Sequence, residues 1–147
     1  MHLELKPFIG VGDLKFGMTS EEVRKILDKP FNRFSEETGD SFVADSFDYF
    51  RIYYNTLNEF YAIEFYRDTE CTPIKLIFEN IDFLNLNALE LVGFFKISDK
   101  NAKIDTYGID SKKYGICIGI DQDENTVQSL LVGNKWYIDD YFSRIFG

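Results

Sequence analysis

Val11-Gly12-Asp13-Leu14-Lys15-Phe16-Gly17-Met18-Thr19-Ser20-Glu21-Glu22-Val23-Arg24-Lys25-Ile26-Leu27 holds a helix start and the loop that leads into it. Thr19 and Glu22 make a capping box: the Thr hydroxyl accepts from the Glu22 amide, and the Glu22 carboxylate accepts from the Thr19 amide. The spacing predicts a short helix from Ser20, with Val23, Ile26 and Leu27 on one inward face and Pro30 as its stop. Gly17 supplies the tight turn before the cap, and Met18 staples onto Val23.

The pattern returns downstream. With Asn87 placed on Thr19, Glu90 falls on Glu22, Leu91 on Val23, Phe94 on Ile26 and Phe95 on Leu27; Leu86 and Leu84 fall on Met18 and Phe16. Asn caps a helix as Thr does. Each copy then runs into aromatic and β-branched stretches joined by a polar turn. In the first, Tyr49 to Tyr54 and Glu59 to Tyr66 flank Asn55-Thr56-Leu57-Asn58; in the second, Tyr114 to Ile120 and Thr126 to Val132 flank Asp121-Gln122-Asp123-Glu124-Asn125. Ile74 to Phe78, entered through Pro73, is a further strand. The expected architecture is α+β: two tandem helix-plus-antiparallel-sheet units, residues 1–70 and 71–147, in one compact domain with short helices on one face of the sheet.

A chain of 147 residues suits a single domain that buries about two-thirds of its unfolded surface without disulfides. Cys71 and Cys117 fall in different units without metal-ligand spacing, which points to incidental thiols and the reducing cytosol. The amino terminus lacks a secretion signal, and no stretch is long enough to cross a bilayer. With 25 acidic against 16 basic residues and a net charge of −9, the chain repels nucleic acid and anionic lipid. A basic protein is the natural partner.

His2 is the only histidine and sits near the terminus, so Ser-His and Cys-His nucleophiles lack an internal base. No phosphate-binding glycine loop, dinucleotide fingerprint or paired metal motif occurs, and no cofactor is expected. Asp121-Gln122-Asp123-Glu124-Asn125 has the alternating oxygens that begin a calcium loop, yet lacks its glycine and closing Glu; it reads as a solvated hairpin turn.

Alternation sends Tyr61, Ile63 and Phe65 to one face, and Phe60, Ala62, Glu64 and Tyr66 to the other. Phe50, Ile52 and Tyr54 join the buried set, which leaves Tyr49, Arg51 and Tyr53 beside Glu64. In the second unit, Gly115, Cys117 and Gly119 lie opposite Ile116, Ile118 and Ile120, and leave backbone open to a partner or to another segment of the chain. Glu36 to Asp48 carries five acids and no base, with Phe42, Val43 and Phe47 to anchor a loop that presents carboxylates.

The phrase Phe16-Gly17-Met18-Thr19-Ser20-Glu21-Glu22-Val23, preceded by Gly12-Asp13-Leu14-Lys15, resembles a group of small cytosolic bacterial proteins often found beside polymorphic toxins. Tyr53-Tyr54-Asn55 and Ala62-Ile63-Glu64-Phe65 also look like that group's hairpin. The resemblance implies an immunity protein that neutralises a cognate toxin domain, such as that of a contact-dependent inhibition system. The Gly-Met-Thr phrase is similar also to the BamE-like lipoproteins and the tandem-repeat β-lactamase inhibitor protein, which put helices on one face of an antiparallel sheet.

The leading expectation is therefore a non-enzymatic toxin inhibitor that occludes the active or substrate surface of a basic toxin, a nuclease above all. Its expected contacts are Asp45, Asp48, Tyr49, Tyr53, Glu64 and Tyr66, with Asp121, Asp123 and Glu124 as a second cluster. The alternative is an assembly module that binds another bacterial protein through its exposed sheet.

Overall fold

A computed structural model describes residues 1–36, 42–67 and 73–146. Cys71 and the middle of the acidic loop, residues 37–41, lie outside the described residues. The fold is α+β, with three helices and two sheets of five and eight strands among the described residues.

The first half opens with β1 (His2–Lys6), β2 (Gly10–Val11) and β3 (Leu14–Lys15), then α1 (Ser20–Leu27). It continues as a meander of β4 (Asn32–Glu36), β5 (Phe42–Phe47), β6 (Phe50–Tyr54) and β7 (Phe60–Tyr66). The second half runs β8 (Lys75–Phe78), β9 (Ile81–Asp82), α2 (Ala88–Ser98), then β10 (Lys103–Asp105), β11 (Gly108–Ser111), β12 (Ile116–Asp121) and β13 (Thr126–Gly133). A last helix, α3 (Lys135–Phe146), has no counterpart among the described residues of the first half.

The halves join twice. In the small sheet β1 pairs β8 in parallel, with Leu3 opposite Leu76. In the large sheet β7 pairs β13 antiparallel, with Ile63 opposite Val132, so the order runs β10-β11-β12-β13-β7-β6-β5-β4. One apolar cluster draws residues from both sheets and from α1 and α2, including Leu5, Val23, Ile52, Phe65, Leu76, Leu91, Phe95 and Leu130.

The cap at Thr19 forms as the sequence predicts. Thr19 Oγ1 accepts from the Glu22 amide at 3.3 Å and the Thr19 amide donates to Glu22 Oε1 at 3.2 Å. Asn87 accepts from the Glu90 amide at 2.9 Å, but Glu90 turns to the Asn87 side-chain amide at 2.8 Å, so this second cap is half a box. Ser20, Val23 and Leu27 are the buried residues of α1, and Ala88, Leu91 and Phe95 those of α2. Ile26, expected inward, is 42% exposed, because α1 buries only the narrow stripe at i, i+3 and i+7.

Each helix start is fastened to the last hairpin of its own half. Phe60 donates to the Met18 carbonyl and Thr19 bridges Glu59; Ala88 donates to the Asn125 carbonyl and Leu89 to the Asn125 side chain. The turn at 121–125 is thus a hairpin turn with a second task, since Asn125, in the left-handed region at φ 54°, supplies acceptors to amides that the helix leaves unpaired.

Two expectations about faces are corrected. The register between β6 and β7 shifts after Tyr53, which pairs with Ala62 while Tyr54 pairs with Phe60. Tyr61 is the extra residue of this bulge, so alternation breaks there. Phe60 is consequently fully buried in the core, and Tyr61 sits with Tyr53 on the opposite side.

The helices, moreover, do not share one face. On β11, Ile109 and Ser111 face α2, and Ser111 Oγ donates to Asp99, which caps that helix, at 2.7 Å. Asp110, between them, turns the other way and accepts from Tyr141 of α3 at 3.2 Å. Helix α3 therefore packs on the far face, where the small residues of β12 and β13 make room. A Cβ on Gly133 would stand 2.7 Å from the Tyr137 ring and 3.2 Å from Ile138. A segment of the chain itself, α3, thus takes much of the space beside Cys117.

Candidate functional site

The far face of the large sheet has two unlike regions. Helix α3 lies over the second-half strands, whereas β4 to β7 carry a shelf of aromatic and charged side chains. The cross-strand register lines up Ser46, Arg51 and Glu64 in one row. Tyr53 stands beside them and donates its hydroxyl to Glu64 Oε1 at 3.0 Å. Burial, then the Glu64 charge, raises the Tyr53 phenol well above its ordinary value, so it stays a donor. The Arg51 guanidinium lies over Phe34 at 5.2 Å and over Tyr66 at 5.4 Å, and the Tyr66 hydroxyl donates to the Phe47 carbonyl at 3.2 Å.

The bulge carries this shelf on to α3. Tyr61 lies tilted against Tyr53 at 6.3 Å and Tyr137 at 5.6 Å, and meets Trp136 edge-on at 6.5 Å. Trp136 is 66% exposed. The start of α3 is fixed by Asn134, which donates its amide to the Tyr61 carbonyl at 2.8 Å and accepts from the Tyr137 amide at 2.9 Å. The aromatic row is thereby held at both ends, on the bulge and on a helix N-terminus.

The structure sorts the expected contact residues into four places. Tyr53, Glu64 and Tyr66 come together on the shelf. Asp45, expected to meet a partner, is fully buried on the core side: it takes Arg24 Nε at 2.8 Å, Arg24 Nη2 at 2.9 Å and the Tyr54 hydroxyl at 3.2 Å, with Arg33 at 3.7 Å. The reason is register, since Asp45 pairs with Ile52, a core position. Asp48 and Tyr49 form the two-residue turn between β5 and β6; Asp48 is exposed, and Tyr49 packs on the rim of the core. Asp121, Asp123 and Glu124 lie at the β12–β13 turn, where Asp121 accepts from the Glu124 amide at 3.1 Å. Among the described residues no three His, Cys, Asp or Glu side chains converge as metal ligands, and no helix is long and apolar enough to cross a membrane.

Residues that the sequence argument passed over complete the picture. Tyr61 was hidden by the bulge. Trp136, Tyr137 and Tyr141 belong to α3, whose signal was present: Asn134 as cap, then Ile138 and Phe142 at i, i+4 spacing. Under α3, Cys117 neighbours Asp110 and Tyr141. Burial, then the Asp110 charge, raises the thiol, and the Tyr141 phenol is raised by burial, then by the Cys117 and Asp110 charges. A thiol held protonated in this way is not an activated nucleophile. Compared with protein-family models, curated proteins and solved structures, the chain matches none.

Proposed function

We propose that this chain is a cytosolic immunity protein that binds a basic bacterial toxin domain and occludes its active or substrate-binding surface. The observation that carries the reading is the shelf: Trp136, Tyr61 and Tyr53 in an ordered row ending at Glu64. Tyr and Trp supply large contact area at low entropic cost and dominate binding hot spots. Their mutual tilted and edge-on contacts mean little freedom is lost on association. The net charge of −9 steers a cationic partner toward the chain, and Arg or Lys on that partner pairs with Glu64 at the shelf and with Asp123 and Glu124 at the distant turn.

The reading also takes the two halves as tandem units. Each places a helix between a few leading strands, three in the first half and two in the second, and a four-strand meander, and the buried positions of α1 coincide with those of α2 when Thr19 is set on Asn87.

The test is co-expression with a basic toxin domain encoded beside the chain. A co-purifying complex and rescued growth are expected, with both lost in the double variant Trp136→Ala, Tyr61→Ala while circular dichroism is unchanged. Neither complex nor protection would sink the proposal. Stable self-association through the bare sheet would favour the assembly module instead.

A further inference from the structure

Between the sheet and the Tyr137, Tyr141 and Phe146 side of α3 lies a cleft of about 630 Å³, within the size range of small-ligand sites. It exists because α3 bridges strands whose residues there are small: Gly108 and Gly119 lie on its floor with Ser129 beside them. The aromatic rings form one wall. Glu64, Asp105 and Asp110 enter it against a single lysine, Lys103. The Lys103 ammonium already stands 5.8 Å from the Phe146 ring centroid, so the rim holds a cation on an aromatic face.

We infer that this cleft binds an alkylguanidinium or alkylammonium group, its charge on Asp110 and its stem against Tyr137 and Tyr141. The donors on Asp110 are a phenol and a thiol, both neutral. Among the described residues its carboxylate therefore has no cationic partner, and burial, with Asp105 adding to it, raises its pKa. A guanidinium offers the planar fork that a carboxylate accepts in pairs, together with a face for the tyrosine rings. Anionic ligands meet three carboxylates and are excluded. The same chemistry arrives either as a free small cation or as an arginine or lysine side chain of a protein.

The experiment titrates the full chain by amide NMR with three probes: butylguanidinium, its uncharged isostere butylurea, and a blocked Gly-Arg-Gly tripeptide. Saturable shifts at Gly108, Cys117 and Gly119 are expected below roughly 10 mM butylguanidinium. Butylurea should bind on the order of tenfold more weakly. Asp110→Asn, which keeps an oxygen for Tyr141, and separately Glu64→Gln should each weaken the cation selectively. Tighter binding of the tripeptide than of butylguanidinium assigns the cation to a protein partner, and weaker binding assigns it to a free small molecule. No saturable shift with either cation, or equal affinity for butylurea, overturns the inference. Toxin binding plays no part in these readings, so they stand or fall apart from the immunity proposal.

Discussion

Arg24 and Asp45 meet at two points, Nε on Oδ2 at 2.8 Å and Nη2 on Oδ1 at 2.9 Å, with the carboxylate fully enclosed. Donating to Asp45 raises the Arg24 guanidinium further above its already high ordinary value. Tyr54 adds a third donor to the same carboxylate and Arg33 a second cation. Removing the carboxylate leaves the Tyr54 hydroxyl unpaired in the core and Arg24 half-hidden over Phe31. Asp45→Ala should lower unfolding free energy by about 3 kcal/mol, whereas exposed Asp48→Ala should stay within about 0.5 kcal/mol. Urea denaturation of the two variants measures the contrast.

The helix caps give a second stability test. Thr19→Ala and Asn87→Ala each remove the acceptor for one amide of a helix's first turn, and each should cost about 1 kcal/mol. After Thr19→Ala the amide of residue 19 can still donate to Glu22, whereas Asn87→Ala also removes the side-chain amide that donates to Glu90, so Asn87→Ala should be the costlier of the two. Denaturant midpoints compared at constant slope decide the order.

Asp110 makes stability depend on pH with a definite sign. Its carboxyl is raised in the fold above the ordinary 3.8, by burial and then by Asp105. The folded state thus holds that proton more tightly than the unfolded chain does. The stability this lends is present below the unfolded value and is lost as pH rises through the folded one. At neutral pH the buried charge is a penalty, so Asp110→Asn should raise the denaturation midpoint at pH 7, by an amount that shrinks on acidification. An unchanged midpoint difference between pH 7 and pH 4 would contradict this.

The Cys117 thiol provides a chemical readout of α3. Burial and the Asp110 charge raise it above the ordinary 9.0. In a Cys71→Ser background, reaction with a disulfide reagent at pH 8 should run roughly tenfold or more slower than with a free thiol. It should recover in urea. A fast reaction in the native state would mean that α3 does not cover this strand.

Trp136 is the only tryptophan of the chain and stands at the edge of the shelf. Its fluorescence should be readily quenched by acrylamide in the free protein. A partner seated on the shelf should protect it, and unchanged quenching in a purified complex would place the partner elsewhere.

Local chemistry made part of this fold legible in the sequence. The box at Thr19, the polar turns and the aromatic runs of β6, β7, β12 and β13 are short-range signals, and each element formed near its expected bounds. Which face a strand residue takes is not short-range. One extra residue in β7 exchanged Phe60 and Tyr61, and the pairing of Asp45 with Ile52 turned an expected surface acid into a core anchor. Helix α3 shows the opposite case: its cap and apolar spacing were readable, but the side of the sheet it covers depends on Gly133 and on the turn that releases it. The shelf was therefore half visible, in Tyr53, Glu64 and Tyr66, while Tyr61 and Trp136 required the bulge and the helix together.

The bulge at Tyr61 also makes β7 sensitive to length in a way that substitution is not. Deleting one residue there would restore plain alternation, trade the enclosed Phe60 for a tyrosine hydroxyl and strip the middle ring from the row that ends at Trp136. Side chains along the shelf are free to change as partners change. The count of residues between Asn58 and Ile63 is not, and a lineage of such chains should vary there in composition while keeping that spacing.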